Sequence, residues 1–148
     1  MVFFTQDSLI VSNTLNKRKI KQMKIPKDLY YTESHEWLKI NKNEIIIGIT
    51  DYAQHELGDI VFVEIDKFDE NIDSGDVFGS IEAVKTVADL YLPISGKIFE
   101  KNKNLEEKPE LINQSPYDDG WIIKVKPNES IDLNPFLNEI AYKDLISF

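Results

Sequence analysis

Apolar and polar positions alternate in short bursts along most of this chain, and turn residues separate the bursts. Residues 29–31 and 36–40 read as short strand-forming pieces. Residues 44–49 are β-branched and apolar and run into Thr50-Asp51, either of which can cap a short helix through Leu57 that Gly58 closes. Residues 60–65 alternate Ile, Phe and Glu against Val, Val and Ile, as a strand with both faces largely buried does. Residues 67–76 are acidic and turn-rich. Residues 77–83 and 87–92 form two further strands separated by Val84-Lys85-Thr86, with Pro93 and Gly96 as punctuation and another strand at 97–100. Residues 105–112 suit a short helix interrupted by Pro109, and 121–125 a buried strand. In 135–147 the apolar residues Phe136, Leu137, Ile140, Ala141, Leu145 and Ile146 fall at helical spacing, with Asn134 placed to cap and Pro135 at the first helical position. Many short strands with peripheral helices indicate a mainly β sandwich or barrel. Strands do not alternate with long helices, so a parallel dinucleotide-binding sheet is not expected.

Composition narrows the function. A length of 148 residues suits one core. The net charge of −9 is uneven. Residues 1–24 hold five basic side chains and one acid, which leaves 12 bases and 25 acids in residues 25–148. So acidic a body repels nucleic acid and anionic lipid, which argues against both as partners, and it suits brief docking on complementary proteins. The chain has no cysteine, so redox chemistry must come from something attached to it. No apolar run approaches the roughly 18–20 residues that cross a bilayer, so no membrane role is expected. Residues 1–22 are expected to be a poorly ordered extension and 23–148 the folded domain. The extension reads either as an organellar presequence, being poor in acids, or as sequence upstream of a natural start at Met23; the second reading is favoured.

The chemistry concentrates in 75–96. Two apolar-rich strands flank Val84-Lys85-Thr86, which lacks the Gly, Asn or Asp of a tight hairpin tip. A lysine at such an apex projects its amine from a stiff base and is open to acylation, which removes its charge. Glu82 and Asp89 flank it, three residues before and four after. They could orient a modifying enzyme or hold an amine-bearing cargo. Spacing alone raises Lys85 only slightly above an ordinary surface lysine. Two His-Glu pairs, His35-Glu36 and His55-Glu56, lack metal-site spacing, and no metal is expected.

The segment around Lys85 resembles the lipoylation hairpin of glycine cleavage system H proteins. So do Tyr31-Thr32-Glu33-Ser34-His35-Glu36-Trp37, Gly48-Ile49-Thr50-Asp51-Tyr52-Ala53-Gln54, Leu57-Gly58-Asp59-Ile60-Val61-Phe62-Val63, Leu111-Ile112-Asn113, Pro116-Tyr117 and Gly120-Trp121, collinearly from about Ile25 to Leu145. The resemblance implies a lipoyl-type barrel-sandwich hybrid with short peripheral helices and a C-terminal helix. It implies a non-catalytic carrier with (R)-lipoate covalently attached to Lys85. That arm would take an aminomethyl group from a pyridoxal-phosphate glycine decarboxylase to a tetrahydrofolate-dependent aminomethyltransferase. Dihydrolipoyl dehydrogenase would reoxidise it, and a lipoyl- or octanoyl-transferring enzyme would install it. Glu36 and Asp89 occupy the positions that hold the loaded arm by analogy, with His35 near the cleft. A bacterial cytoplasmic location follows from the Met23 start, and the mitochondrial matrix from the presequence reading.

Other readings of the same residues are weaker. A relay handing lipoyl groups to other proteins shares the fold. A biotin carrier would place methionines beside the lysine, where Val84 and Thr86 stand. A hydrolase using Glu82 and Asp89 lacks a nucleophile and a pocket.

Overall fold

A computed structural model describes residues 22–147. The expectation for 1–22 therefore lies, Gln22 apart, outside the described residues. Nine strands carry the fold: β1 (Tyr30–Tyr31), β2 (Glu36–Asn41), β3 (Glu44–Ile49), β4 (Ile60–Ile65), β5 (Asn71–Ile72), β6 (Val77–Ala83), β7 (Val87–Tyr91), β8 (Gly96–Lys101) and β9 (Ile123–Pro127). Four short helices complete it: α1 (Asp51–Leu57), α2 (Asn104–Glu107), α3 (Leu111–Gln114) and α4 (Glu139–Ile146). One sheet has the order β1-β2-β3-β9-β8-β5 and the other β4-β6-β7, all pairs antiparallel. This is the mainly β, two-sheet arrangement with short peripheral helices and a C-terminal helix that the patterning indicates.

Strand β2 shows how the core divides. Successive side chains of a strand point to opposite faces. Trp37 and Leu38 are nonetheless both buried, at 1% and 0% exposure. Leu38 joins Ile45, Ile47 and Ile49 of β3, Phe78 and Ile81 of β6 and Leu90 of β7 in the core between the sheets. Trp37 joins a second cluster with Leu29, Tyr31, Tyr52, Tyr142 and Ile146 beneath α4. Gly48 faces Trp37 across the register, and a Cβ there would stand 2.7 Å from the indole ring.

Several local expectations shift. The 105–112 helix is two separate short helices, α2 and α3, parted by 108–110 around Pro109. The turn-rich 67–76 segment contains β5, a two-residue strand on the sheet edge beside β8. The 121–125 strand begins two residues later, at Ile123. The C-terminal helix starts at Glu139, not Pro135. Tertiary pairing explains the delay: Leu137 exchanges backbone hydrogen bonds with Tyr31 at 2.8 and 2.9 Å, which holds 135–137 extended against β1. The cap is Asn138, whose Oδ1 accepts from Ala141 N at 2.8 Å, while Asn134 caps nothing.

Asn138→Ala should therefore cost about 1 kcal/mol of unfolding free energy. Asn134→Ala should change it by less than about 0.5 kcal/mol. Chemical denaturation of the two variants checks the assignment.

Candidate functional site

Hairpin β6–β7 pairs Glu82 with Val87, and its apex is Val84-Lys85. Two-residue hairpin loops normally demand positive φ. Among the described residues only His35, Lys42 and Asp69 are non-glycine positions with positive φ, so the apex is not of that type and has no need of Gly, Asn or Asp. It closes on itself through Ala83 N donating to Thr86 O at 2.8 Å, and it is tied outward by Val84 N donating to Asp59 O at 3.1 Å. Lys85 is exposed. Its Cε passes Gly58: a Cβ at that glycine would lie 3.5 Å away. Gly58 also sits at φ +78°, a conformation that an L side chain resists.

The outer face of the small sheet surrounds the lysine with mixed chemistry. Phe62, Glu82 and Val87 form one cross-strand row, and Glu64, Ser80 and Asp89 the next. Val84 is 75% exposed, Val87 62%, Phe62 52% and Val61 49%, so four apolar side chains ring the apex. Such a cluster marks an interaction surface. Asp89 stands four positions after Lys85, at most roughly 13 Å along the strand direction. Tyr91 follows on the same face.

Tyr91 opens onto a cleft of about 630 Å³ walled by Thr32, Ser34, Glu36, Pro93 and Phe136. A hollow of about 430 Å³ adjoins it and shares Ser74, Pro93, Pro135 and Phe136. Glu36 is the unusual group here. It is 1% exposed on the first position of β2. Its Oε1 accepts from Thr32 Oγ1 at 2.8 Å and from the Ser34 hydroxyl. Its Oε2 is buried and has no hydrogen-bond partner among the described residues. Burial raises the carboxyl pKa to about 7 against the opposing effect of the Ser34 and Thr32 hydroxyls. A buried orphan acceptor is costly unless something completes it.

His35 is not among the cleft-lining residues. Its φ of +71° turns the ring toward the second cluster, where Nδ1 lies 2.8 Å from Tyr142 Oη and the ring 4.9 Å from that of Tyr52. Tyr142 Oη also meets Thr50 Oγ1 at 2.7 Å, and Thr50 caps α1 through Ala53 N. His35 O accepts from Thr50 N at 3.0 Å. This network pins the 32–36 turn from behind and so fixes where Glu36 points. Of the residues singled out from sequence, Glu36 lines the cleft, Asp89 lies on the surface between it and the lysine, and His35 supports from the rear. Sequence reasoning passed over the individual roles of Thr32, Ser34 and Asn113, although all three stand in motifs it quotes, whereas Gly58 closes α1 as expected.

The two shifted groups make opposite demands on stability. Glu36 is raised from 4.5 to about 7, so between those values the folded state holds the extra proton and stability falls as pH rises. His35 is lowered from 6.5 to about 4 by burial, so between those values the unfolded state holds the extra proton and stability rises with pH. From pH 4.5 to 6.5 the two slopes oppose each other. Glu36→Gln should remove one of them. The variant should lose stability steadily on acidification through that window, and above pH 7 it should exceed wild type by about 3 kcal/mol. Denaturation series at fixed pH values read both effects.

The chain matches the family described as "Glycine cleavage H-protein" over residues 29–147. It is 49% identical over 124 residues to the glycine cleavage system H protein of Staphylococcus haemolyticus, covering 84% of this chain and 98% of that one. It is 47% identical over 125 residues to that of Bacteroides fragilis, covering 84% and 99%. The crystal structure of a glycine cleavage system H protein from Mycobacterium marinum superposes with a TM-score of 0.74 at 35% identity, covering 81% of this chain and 97% of that one. Among the described residues no helix is long and apolar enough to cross a membrane. The two-sheet body is the lipoyl-type barrel-sandwich of that neighbour, and the chain belongs to the glycine cleavage H-protein family.

Proposed function

We propose that Lys85 carries (R)-lipoate in amide linkage and that the protein is a carrier of the glycine cleavage system with no catalysis of its own. The observation that carries this reading is the exposed amine at the apex of a stiff hairpin, on the face that leads to the Glu36 cleft. Bound there, the group supplies a redox-active disulfide that a pyridoxal-phosphate glycine decarboxylase loads with the aminomethyl fragment of glycine, that a tetrahydrofolate-dependent aminomethyltransferase unloads and that dihydrolipoyl dehydrogenase reoxidises.

The chain's own residues supply address, reach and shelter. Lys85 gives its amine to a lipoyl- or octanoyl-transferring enzyme and loses its charge on acylation. Tethering raises the effective concentration of the arm at each partner. Thr32 and Ser34 occupy Glu36 Oε1 and leave Oε2 for an ammonium N–H. A cation arriving there favours the ionised carboxyl, so Glu36 gives up its proton as it binds. Asp89 attracts the same cation on its way, and the cleft limits its exposure to water. His35 acts through the turn and not by contact. Both named relatives come from bacteria, which supports a bacterial cytoplasmic setting.

Incubation of the unmodified protein with lipoate, ATP and a lipoate ligase should add one lipoyl mass to wild type and none to Lys85→Arg. A lipoyl addition that persists on that variant overturns the assignment. Glu36→Gln should be acylated at the wild-type rate. After loading it should release its amine to water about tenfold faster, the loss of one charge-assisted hydrogen bond. The carrier without its partner enzymes should turn over no glycine.

A further inference from the structure

Asn113 lies on α3, outside the hairpin and the cleft, yet its side-chain bonds converge on the short segment beneath the lysine. Nδ2 donates to Gly58 O at 2.8 Å and to Gln54 Oε1 at 3.0 Å. Oδ1 accepts from Ile60 N at 3.1 Å. These groups belong to the end of α1 and to the 58–60 segment that leads from it into β4. That segment is what the apex rests on. Asp59 O receives Val84 N, Ile60 pairs with Ala83 and Gly58 lies under the Lys85 methylenes.

The apex needs such a seat. It has no self-contained primed turn, and its internal closure is the single bond from Ala83 N to Thr86 O. The direction in which Val84 and Lys85 leave the sheet then depends on the outward bond to Asp59. The 58–60 turn could not hold itself: Gly58 is at positive φ, and β4 begins with a bulge between Ile60 and Phe62. A side-chain amide with one acceptor and two donated bonds bridges both ends of that turn at once.

We propose that Asn113 is a positioning residue for acylation of Lys85: by fixing the 58–60 turn as the seat of the apex, it sets the line along which the amine meets an activated acyl donor. The proposal rests on Lys85 being the attachment site. In the reaction the deprotonated amine nitrogen bonds to the carbonyl carbon of an acyl adenylate. The bond from that carbon to the phosphate oxygen breaks, AMP leaves with the electron pair, and the proton from nitrogen passes to solvent. Attack of this kind is sensitive to placement, and a shift of about 1 Å can cost on the order of 100-fold.

The test uses the unmodified full chain with lipoate, ATP and a lipoate ligase, followed by intact mass. Asn113→Ala removes all three bonds. Asn113→Asp keeps the acceptor toward Ile60 but sets a carboxylate oxygen against Gly58 O, and it carries the test if the alanine variant does not fold. Ile123→Val in β9 is the control for lost stability alone. With all proteins folded at the assay temperature, both Asn113 variants should lose about tenfold in kcat/KM, mainly in kcat. The control should stay within about twofold of wild type. Amide exchange at Val84 and Ile60 should quicken in the Asn113 variants and not in the control. Acylation of an Asn113 variant at the wild-type rate overturns the proposal, and so does a control slowed as much as the variants. If wild type gains no addition at Lys85, the carrier reading itself falls.

Discussion

A carboxyl group held out of water is the constraint on which this molecule turns. Glu36 begins a strand buried on both faces, with Trp37 committed to one cluster and Leu38 to the other. The strand cannot slide or rotate to let its first residue reach solvent, because a one-residue slip would invert both faces. The carboxyl keeps one oxygen on two hydroxyls and the other on nothing. A pKa raised from 4.5 to about 7 means some 3 kcal/mol against the ionised form. Set against a typical net stability of about 5–15 kcal/mol, this is a substantial sacrifice. The aromatic cluster behind the turn offsets it: Tyr31 and Tyr142 stack at 4.7 Å and Tyr142 closes the network to His35 and Thr50. Tyr142 belongs to α4, so the late start of that helix and the seating of the turn are one packing problem. Leu137 must first pair with Tyr31 before the chain can turn into α4.

The lysine end is built on the opposite logic. Val84, Lys85 and Thr86 are all exposed, and the apex has two residues. Stiffness comes instead from a chain of contacts that cross the sequence: Asn113 to the 58–60 turn, then Asp59 to Val84. One end of the outer face thus presents a group to partners, and the other withdraws a group from water. Hairpin β6–β7 and β4 connect the lysine to the cleft through one antiparallel sheet, with bulges between Ile60 and Phe62 and between Val77 and Gly79.

Much of this was legible in the sequence, for identifiable reasons. The strands were readable because alternation survives wherever one face is buried. Lys85 stood out because its turn chemistry disagreed with its position, and the backbone resolves the disagreement by using no positive φ at the apex. The helix cap was misplaced because Asn134-Pro135 satisfies every local rule for a helix start, whereas the pairing of Leu137 with a residue more than a hundred positions earlier is invisible to local rules. His35 was placed near the cleft by analogy, and its positive φ turns its ring toward Tyr142 and Tyr52. Gly58 was legible as the residue that closes α1, as it does, but Asn113 stood within a recognised motif without any visible role, since the bonds that give it one span 53 to 59 positions.

The charge pattern ties the two ends together. Lys85 stands at the end of a face that holds Glu64, Glu82 and Asp89. On the proposed reading, acylation of Lys85 would remove its charge. A neutral arm then has no electrostatic reason to lie along Glu82 or Asp89, and the ring of Val61, Phe62, Val84 and Val87 is left as the apolar surface at its root. Only a cationic cargo restores an attraction between arm and body. Exposed carboxylates satisfied by water offer it little, because surface ion pairs contribute about 0–1 kcal/mol. On the proposed reading Glu36 would offer more, because its Oε2 is buried without a hydrogen-bond partner among the described residues. On the proposed carrier reading the cost built into β2 would become selectivity: the empty arm would stay out for partners, and a loaded arm would be drawn to Glu36 Oε2, which lacks a hydrogen-bond partner among the described residues.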